Sequence, residues 1–397
     1  MTLKGRKLLL GLTGGIAAYK AAELARLLVR EGADVRAALT ESAARFLAPL
    51  TLQALTGQPA WTDLWDPRVP DAMGHIGLSR DRELIVVAPA SADFLAKVAH
   101  GLADDLLSTL VLARRCPLLV APAMNVEMWE APATQRNLER LRADGILVAG
   151  PTAGEQACGE SGMGRMLEPA DLLAEVEAAF QPKVLAGRRV LVTAGPTEEP
   201  IDPVRMVTNA SSGKMGYAVA RAAREAGADV LLVSGPVALA TPWGVRRVDV
   251  RTASEMFDAV KRHLVGCDLF FAVAAVADFR PKQACRAKIK KQGRRGLAVE
   301  MEPNPDILAW VAAQEPRPFC VGFAAESEDL AANAEAKRRA KSLPLVAANL
   351  VQEALGADES AITLFDAQGA HPLGRGPKLE LARRLVAHVA AMLDKTR

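Results

Sequence analysis

The chain has 397 residues, and at roughly 100–200 residues per domain that length points to two domains. Half of the residues are hydrophobic, only 4% are aromatic, and Ala, Leu and Val dominate, which suits helices packed on parallel strands. A net charge of +3 is too near neutral to argue for nucleic-acid binding, and no run of about 18 apolar residues marks a membrane span.

Taken in chain order, a short apolar run at 5–12 ends in Gly14-Gly15. A helical pattern follows at 16–31, Gly32 stops it, and 34–39 reads as a second strand. This is a βαβ opening. Further buried strands are expected at 84–88 and 118–121, and a helix at 169–180. The connector Gln181-Pro182-Lys183 follows, and at Gly187 the pattern restarts. Here a strand at 188–193, a helix at 216–226 and a strand at 229–234 are predicted, with more buried strands at 269–274 and 319–323. The expected fold class is therefore α/β with two doubly wound, Rossmann-like domains, over 1–183 and 187–397. In such sheets, ligands sit beyond the carboxyl ends of the strands.

Five cysteines (Cys116, Cys158, Cys267, Cys285, Cys320) are scattered without a CxxC pair. An odd, dispersed set argues for reduced thiols and a cytoplasmic setting rather than a disulfide framework or a zinc site. The N-terminus lacks a signal-peptide cleavage pattern.

In the first half, Thr13-Gly14-Gly15-Ile16-Ala17 is a glycine-rich turn opening a helix. It is either a phosphate cradle built from backbone amides or an ordinary tight turn. It has neither the GxGxxG spacing nor a following GK[ST]. Thr40 and Ser91 each follow a predicted strand, where a ligand would be met. Asp104-Asp105 reads equally as a helix cap. Asn125, in Pro122-Ala123-Met124-Asn125, offers a donor and an acceptor suited to a carboxylate, or a plain cap. Cys158 lies in Cys158-Gly159-Glu160-Ser161-Gly162-Met163-Gly164-Arg165-Met166, which is either a mobile lid with a reactive thiol or an inert loop. His75 is a lone histidine that by itself reads more simply as structural than as functional.

Together these segments resemble the homo-oligomeric flavin-containing cysteine decarboxylases, and more narrowly a phosphopantothenoylcysteine decarboxylase domain. The resemblance spans nearly all of 5–180 and implies a flavodoxin-like flavoprotein domain. It further implies bound FMN, with Thr13, Gly14, Gly15, Ile16, Ala17, Thr40 and Ser91 in the cofactor site. Substrate is oxidatively decarboxylated and then reduced on the same flavin. By that resemblance Cys158 supplies a proton in the reduction, Asn125 grips the departing carboxylate and His75 assists beside the flavin.

In the second half, Gly195-Pro196-Thr197 follows the first strand, and Thr208-Asn209-Ala210-Ser211-Ser212-Gly213-Lys214-Met215-Gly216 opens a helix. Small hydroxyls, glycine and lysine at a helix start make an anion cradle. Ala275-Val276-Ala277-Asp278-Phe279 precedes a basic run (Lys282, Arg286, Lys288, Lys290, Lys291, Arg294, Arg295), which by itself reads most simply as a solvated loop. The set resembles phosphopantothenate–cysteine ligases over 187 to about 385. It implies CTP as co-substrate, an acyl-cytidylate intermediate and Mg2+, with metal ligands unassigned. By motif position Lys288 steadies charge in the first half-reaction and Asn209 acts on the acyl-cytidylate. Asp278, Pro305, Asp306, Ile307, Leu308, Phe323, Lys337 and Lys341, with Lys288, hold CTP. Ala210 departs from the histidine common at that place in the family.

The resemblances imply a bifunctional enzyme of coenzyme A biosynthesis. Its partners are the small molecules 4′-phosphopantothenate, cysteine and CTP, with neither nucleic acid nor membrane. A homo-oligomer is also implied, with trimeric flavin domains and dimeric ligase domains, in an assembly such as a dodecamer. A two-domain dinucleotide oxidoreductase is the alternative, but it requires GxGxxG with an acid about 20 residues on, and neither βαβ start has that spacing.

Overall fold

Leu8, Leu9, Leu10 and Leu12 are all fully buried, as are Ile85, Val86 and Val87. Runs buried on both faces are the mark of parallel strands covered by helices on either side. The computed structural model describes residues 3–66, 74–291, 296–354 and 356–395. The chain divides into two compact units, Met1–Phe180 and Gln181–Arg397.

The first unit is built on β1 (Lys7–Leu12), β2 (Asp34–Leu39), β3 (Ala60–Trp61), β4 (Leu84–Ala90), β5 (Leu118–Pro122) and β6 (Leu147–Val148). They form one parallel sheet in the order β3-β2-β1-β4-β5-β6. The order reverses between β1 and β4, and the crevice there is where a doubly wound sheet takes its ligand. The helix Ala18–Arg30 buries Ala18, Ala21, Leu24, Ala25 and Leu28, a stripe at helical spacing. Truncating Leu24 to Ala would cost about 2–5 kcal/mol, because the packed interior cannot fully collapse onto the gap. The helix begins at Ala18 rather than residue 16, leaving Thr13 to Ala17 as a turn whose amides stay free of the helix ladder. Beyond the sheet, β7 (Thr152–Glu155) and β8 (Ser161–Arg165) pair as an antiparallel hairpin.

The second unit repeats the plan. Its strands are β9 (Arg189–Ala194), β10 (Glu198–Pro200), β11 (Met206–Thr208), β12 (Asp229–Ser234), β13 (Arg246–Asp249), β14 (Leu269–Ala272), β15 (Phe279–Pro281), β16 (Met301–Pro303), β17 (Phe319–Glu326), β18 (Leu345–Leu350), β19 (Glu359–Asp366) and β20 (Gly369–Pro377). The main sheet runs β13-β12-β9-β14-β17-β18-β19-β20, and β10-β11 and β15-β16 are separate two-stranded ribbons. Parallel pairing holds from β13 to β18, whereas β19 and β20 are antiparallel additions. The helix Lys214–Glu225 lies close on β9, since a side-chain carbon on Gly216 would collide with Ala194. The helix Lys378–Lys395 closes the unit, with Leu381, Leu385 and Val389 fully or almost fully buried. Among the described residues, no helix is long and apolar enough to cross a membrane.

Candidate active sites

In the first unit, Thr13 ends the run of β1. Its hydroxyl donates to the Pro89 carbonyl at 2.8 Å and accepts from the Ser91 N–H at 2.8 Å. The side chain is thus buried and spent on tying β1 to β4, and the Thr13 N–H adds a further bond to the Pro89 carbonyl at 3.2 Å. Ser91 caps the helix Ala92–His100, accepting from Phe94 N–H at 3.2 Å, and Thr40 caps Glu41–Ala44 in the same way at 3.2 Å. A capping hydroxyl accepts, and still has its own proton to donate. Gly14 packs so near Ser42 that a side-chain carbon would lie 2.6 Å from Ser42 Cβ.

A cavity of about 640 Å³ opens beside these strand ends. Gly14 to Ala17, Ser91, Met124, Asn125, Cys158 and Arg165 all contribute to its wall. The volume falls inside the range that holds small molecules and cofactors, roughly 300–1,000 Å³. Thr13 and Thr40 support the wall without lining it.

Asn125 is both cap and reachable donor. Its Oδ1 accepts from Glu127 N–H at 2.8 Å, capping Val126–Glu130. That bond orients the amide, so Nδ2 points to Cys158 Sγ at 3.5 Å and to the Glu160 carboxylate. The Cys158 loop joins β7 to β8, and Met124 N–H donates to the Gly164 carbonyl at 3.0 Å, joining the two segments. Gly164 has φ +134°, and a side-chain carbon would strike the Met124 carbonyl, so only glycine fits there. Cys158 is exposed, in contrast to Cys267 and Cys320, whose thiols burial pushes up to about 11 and about 12.

The sequence reading did not single out three further groups. Lys20 is buried, and its Nζ donates to the Met166 carbonyl at 3.0 Å and to Glu168 at 2.9 Å, pinning the segment that follows β8. Gln156 accepts from Val126 N–H at 3.1 Å and donates to the Met163 carbonyl at 3.1 Å. Glu160 meets Asn125 across 35 positions of sequence. Only proximity to the glycine-rich loop could have hinted at the last two. Asp105 caps Leu106–Leu112 in a capping box with Ser108, and Asp104 pairs with Lys97 at 2.9 Å, so both are structural. His75 falls in the helix Gly74–Ser79, with its side chain outside the described residues.

In the second unit, Ser211 to Met215 line a smaller pocket of about 140 Å³ with Ala275, Phe323 and Asn349. Gly213, at φ +74°, precedes the helix Lys214–Glu225. Asn209 is exposed, and its Nδ2 donates to the Ala275 carbonyl at 2.9 Å, which holds it at the pocket edge. Lys337 Nζ donates to the Phe323 carbonyl at 2.6 Å, and Lys341 pairs with Asp306 at 2.6 Å. Burial, and then the charge of Lys341, lower the Lys337 pKa. Asp306 also caps Ile307–Ala312 through Ala309 N–H at 2.9 Å. Ile307 and Leu308 put their side chains in the core, leaving only backbone for a ligand. Asp278 is exposed and its carbonyl accepts from Asn304 N–H at 2.8 Å. Lys288 is exposed and, among the described residues, lines neither this pocket nor the one beside Ile289 and Lys290. Its segment is held instead by Asp202, which accepts from Ile289 N–H at 3.1 Å and pairs with Arg205 at 2.7 Å. Burial opposes the Asp202 charge, but three backbone N–H groups and Arg205 outweigh it and hold the carboxyl at about 2. Arg294 and Arg295 lie outside the described residues.

Two family models match the chain: the flavoprotein family over residues 1–181, and the DNA/pantothenate metabolism flavoprotein C-terminal domain over 185–393. The coenzyme A biosynthesis bifunctional protein CoaBC of Vibrio cholerae is 50% identical over 386 residues, covering 96% of this chain and 97% of that protein. The protein of the same name from Escherichia coli K12 is 47% identical, covering 100% and 99%. A solved C-terminal domain of such a protein is 37% identical and covers 54% of this chain and 99% of its own, with a TM-score of 0.47.

Proposed function

This chain belongs to the family of coenzyme A biosynthesis bifunctional proteins, and from that premise we propose how its residues divide the work. It is a bifunctional enzyme with decarboxylase and ligase activities, and its flavoprotein half uses FMN. We assign 1–183 to phosphopantothenoylcysteine decarboxylation and 187–397 to the CTP-dependent joining of cysteine to 4′-phosphopantothenate.

The amides of the 14–17 turn, at the N-terminus of Ala18–Arg30, suit a flavin phosphate, and Gly14 keeps the backbone close. FMN bound there supplies a two-electron acceptor and donor. Asn125 donates from Nδ2 to the substrate carboxylate that leaves as carbon dioxide. The Glu160 carboxylate must swing away from that amide when substrate enters. Cys158, on the lid, donates its thiol proton to the carbon that is reduced. His75 assists the oxidative step.

In the ligase half, the carboxylate of 4′-phosphopantothenate attacks the α-phosphate of CTP and pyrophosphate leaves. Lys288 steadies the charge that develops. The cysteine amine then opens the acyl-cytidylate, with Asn209 holding the intermediate. Lys337 and Lys341 face the nucleotide, with Asp278, Phe323 and the 305–308 turn around it. Mg2+ brought in with the triphosphate would offset charge on its phosphates and would need few ligands from the protein. The enzyme works in the cytoplasm as a homo-oligomer, trimeric through flavin domains and dimeric through ligase domains.

The observation that carries this reading is the meeting of the 14–17 turn, Asn125 and Cys158 on one cavity. The test is direct. The full chain is given 4′-phosphopantothenate, cysteine and CTP, and pyrophosphate and carbon dioxide are followed. Both should appear; carbon dioxide should require all three substrates, whereas pyrophosphate should require only CTP and 4′-phosphopantothenate. Pyrophosphate without carbon dioxide would overturn the first assignment, and neither would overturn both.

A further inference from the structure

Asp366, His371 and His388 form a cluster that neither half-reaction uses. Asp366 ends β19, His371 lies near the start of β20, and His388 lies on the helix Lys378–Lys395. His371 Nε2 stands 3.0 Å from Asp366 Oδ1, and His388 Nε2 stands 3.4 Å from Oδ2. One donor atom from each residue lies within 4.8 Å of the other two. The imidazoles tilt at 48° with centroids 5.0 Å apart, so both ring nitrogens converge on one carboxylate. Asp366 is 6% exposed, and among the described residues the buried His388 Nε2 has no hydrogen-bond partner.

Two imidazoles turned toward one buried carboxylate are awkward as a purely organic arrangement. Each ring must carry its proton on Nε2 to face the oxygens, and His388 gains only a long 3.4 Å contact by doing so. A cation among the three atoms would use both nitrogen lone pairs and the carboxylate together. Zinc takes nitrogen at about 2.0–2.1 Å and carboxylate oxygen at about 2.0–2.2 Å, so tetrahedral ligands sit roughly 3.3–3.5 Å from each other. The two imidazole–carboxylate separations, 3.0 and 3.4 Å, lie near that range, and the two imidazole nitrogens, within 4.8 Å of each other, would close toward it on binding. Two imidazoles and a carboxylate are borderline donors, which favour first-row transition ions over Mg2+ or Ca2+.

We propose that Asp366, His371 and His388 bind one divalent transition-metal cation of the zinc class, with water completing the shell. The placement makes it a staple. Phe365 pairs with Val346 in the antiparallel register, so Asp366 lies beside the start of β18, while Asn349 of the nucleotide pocket lies near that strand's other end. The ion therefore sits at the edge of the sheet away from the pocket. It joins the β19–β20 hairpin to the closing helix, two pieces appended to the parallel sheet.

The experiment uses the full chain, stripped with chelator and dialysed against Zn2+, beside His371→Gln and His388→Gln. The parent should retain one more equivalent of zinc per chain than either variant. Zinc held by exposed thiols is common to all three and drops out of the difference. With zinc a hundredfold above its Kd, the parent's Tm should rise by roughly 5–10 °C, and the variants should show no such rise. Equal zinc uptake in parent and variants, or a parent Tm indifferent to zinc, would overturn the proposal. Should His388→Gln fail to fold, His371→Gln carries the test alone, because the His371 side chain is 35% exposed and its loss leaves the core intact.

Discussion

The two sites are assembled in different ways. In the flavin half, segments far apart in sequence line one cavity and are fastened to each other by hydrogen bonds, Met124 N–H to the Gly164 carbonyl and Ser91 N–H to the Thr13 hydroxyl among them. In the ligase half, Lys337, Lys341, Asp306 and Asp278 stand close enough to feel one another's charge, but Lys288 lines no pocket with them among the described residues. Lys337 and Lys341 are tied to Phe323 and Asp306, Asn209 is parked on Ala275, and Lys288 stays in solvent. The contrast follows from what each site must hold. An aromatic cofactor can be met by a preformed wall of glycines and apolar side chains. The triphosphate proposed above would need several cations, and Lys337 and Lys341, now held on local acceptors, and Lys288, now in solvent, would have to turn toward it.

The largest expected effect would sharpen that contrast. Cys158→Ser should leave formation of phosphopantothenoylcysteine within about twofold and lower phosphopantetheine release by about 10²–10⁴-fold, the usual worth of a positioned proton donor. Following the two products separately by mass spectrometry checks this, and a parallel fall in both would make Cys158 structural. Next in size, Lys288→Gln should depress pyrophosphate–CTP exchange by about 10²–10³-fold, as for loss of one charge stabiliser. Asn209→Asp should retain exchange but let acyl-cytidylate persist when cysteine is added, because a carboxylate lacks the amide's donor. Normal exchange in Lys288→Gln would break the idea that the nucleotide recruits that lysine.

A smaller effect concerns Lys337, whose pKa burial lowers. CTP affinity should therefore weaken with rising pH before an ordinary lysine would lose its proton, near 10.4. Lys337→Met should remove that limb from a plot of Kd against pH, and an unchanged plot would exclude Lys337 from the site. The smallest is a stability term. Asp202 is about 2 when folded, below its unfolded value of about 3.9, so its contribution is complete above the unfolded value and is lost as pH falls toward 2. Acid unfolding of Asp202→Asn should lack that component, and melting curves at pH 5, 3 and 2 would reveal it.

Much of this architecture could be read from apolar runs bounded by glycine. The strands 34–39 and 229–234 appear as expected, because nothing competes with the signal there. The β19–β20 hairpin was not legible. β20 reads Gly-Ala-His-Pro-Leu-Gly-Arg-Gly-Pro, mostly exposed, and its glycines and prolines mimic a loop. The expected strand 269–274 stops at Ala272, after which Ala275 bridges to Pro196 and opens the pocket. At the sites, the residue types were visible but their bonds were not. Asn125 offered capping or ligand binding as alternatives, and the fold uses one end of the amide for the cap and leaves the other to donate. Glu160 against Asn125 depends on a hairpin register that no local pattern specifies.

That divided amide has a consequence for how the position tolerates change. Because the oxygen of Asn125 holds the start of Val126–Glu130, Asp, Ser or Thr would keep the cap, since all three accept from backbone N–H. None of them would present a nitrogen donor to an incoming carboxylate. A mutational library sorted only for soluble, well-melting protein would therefore score Asn125 as freely exchangeable among cap formers. The same library sorted for growth without external pantetheine would find the position closed. The gap between those two maps at one residue would measure what the amide contributes to chemistry apart from what it contributes to the helix.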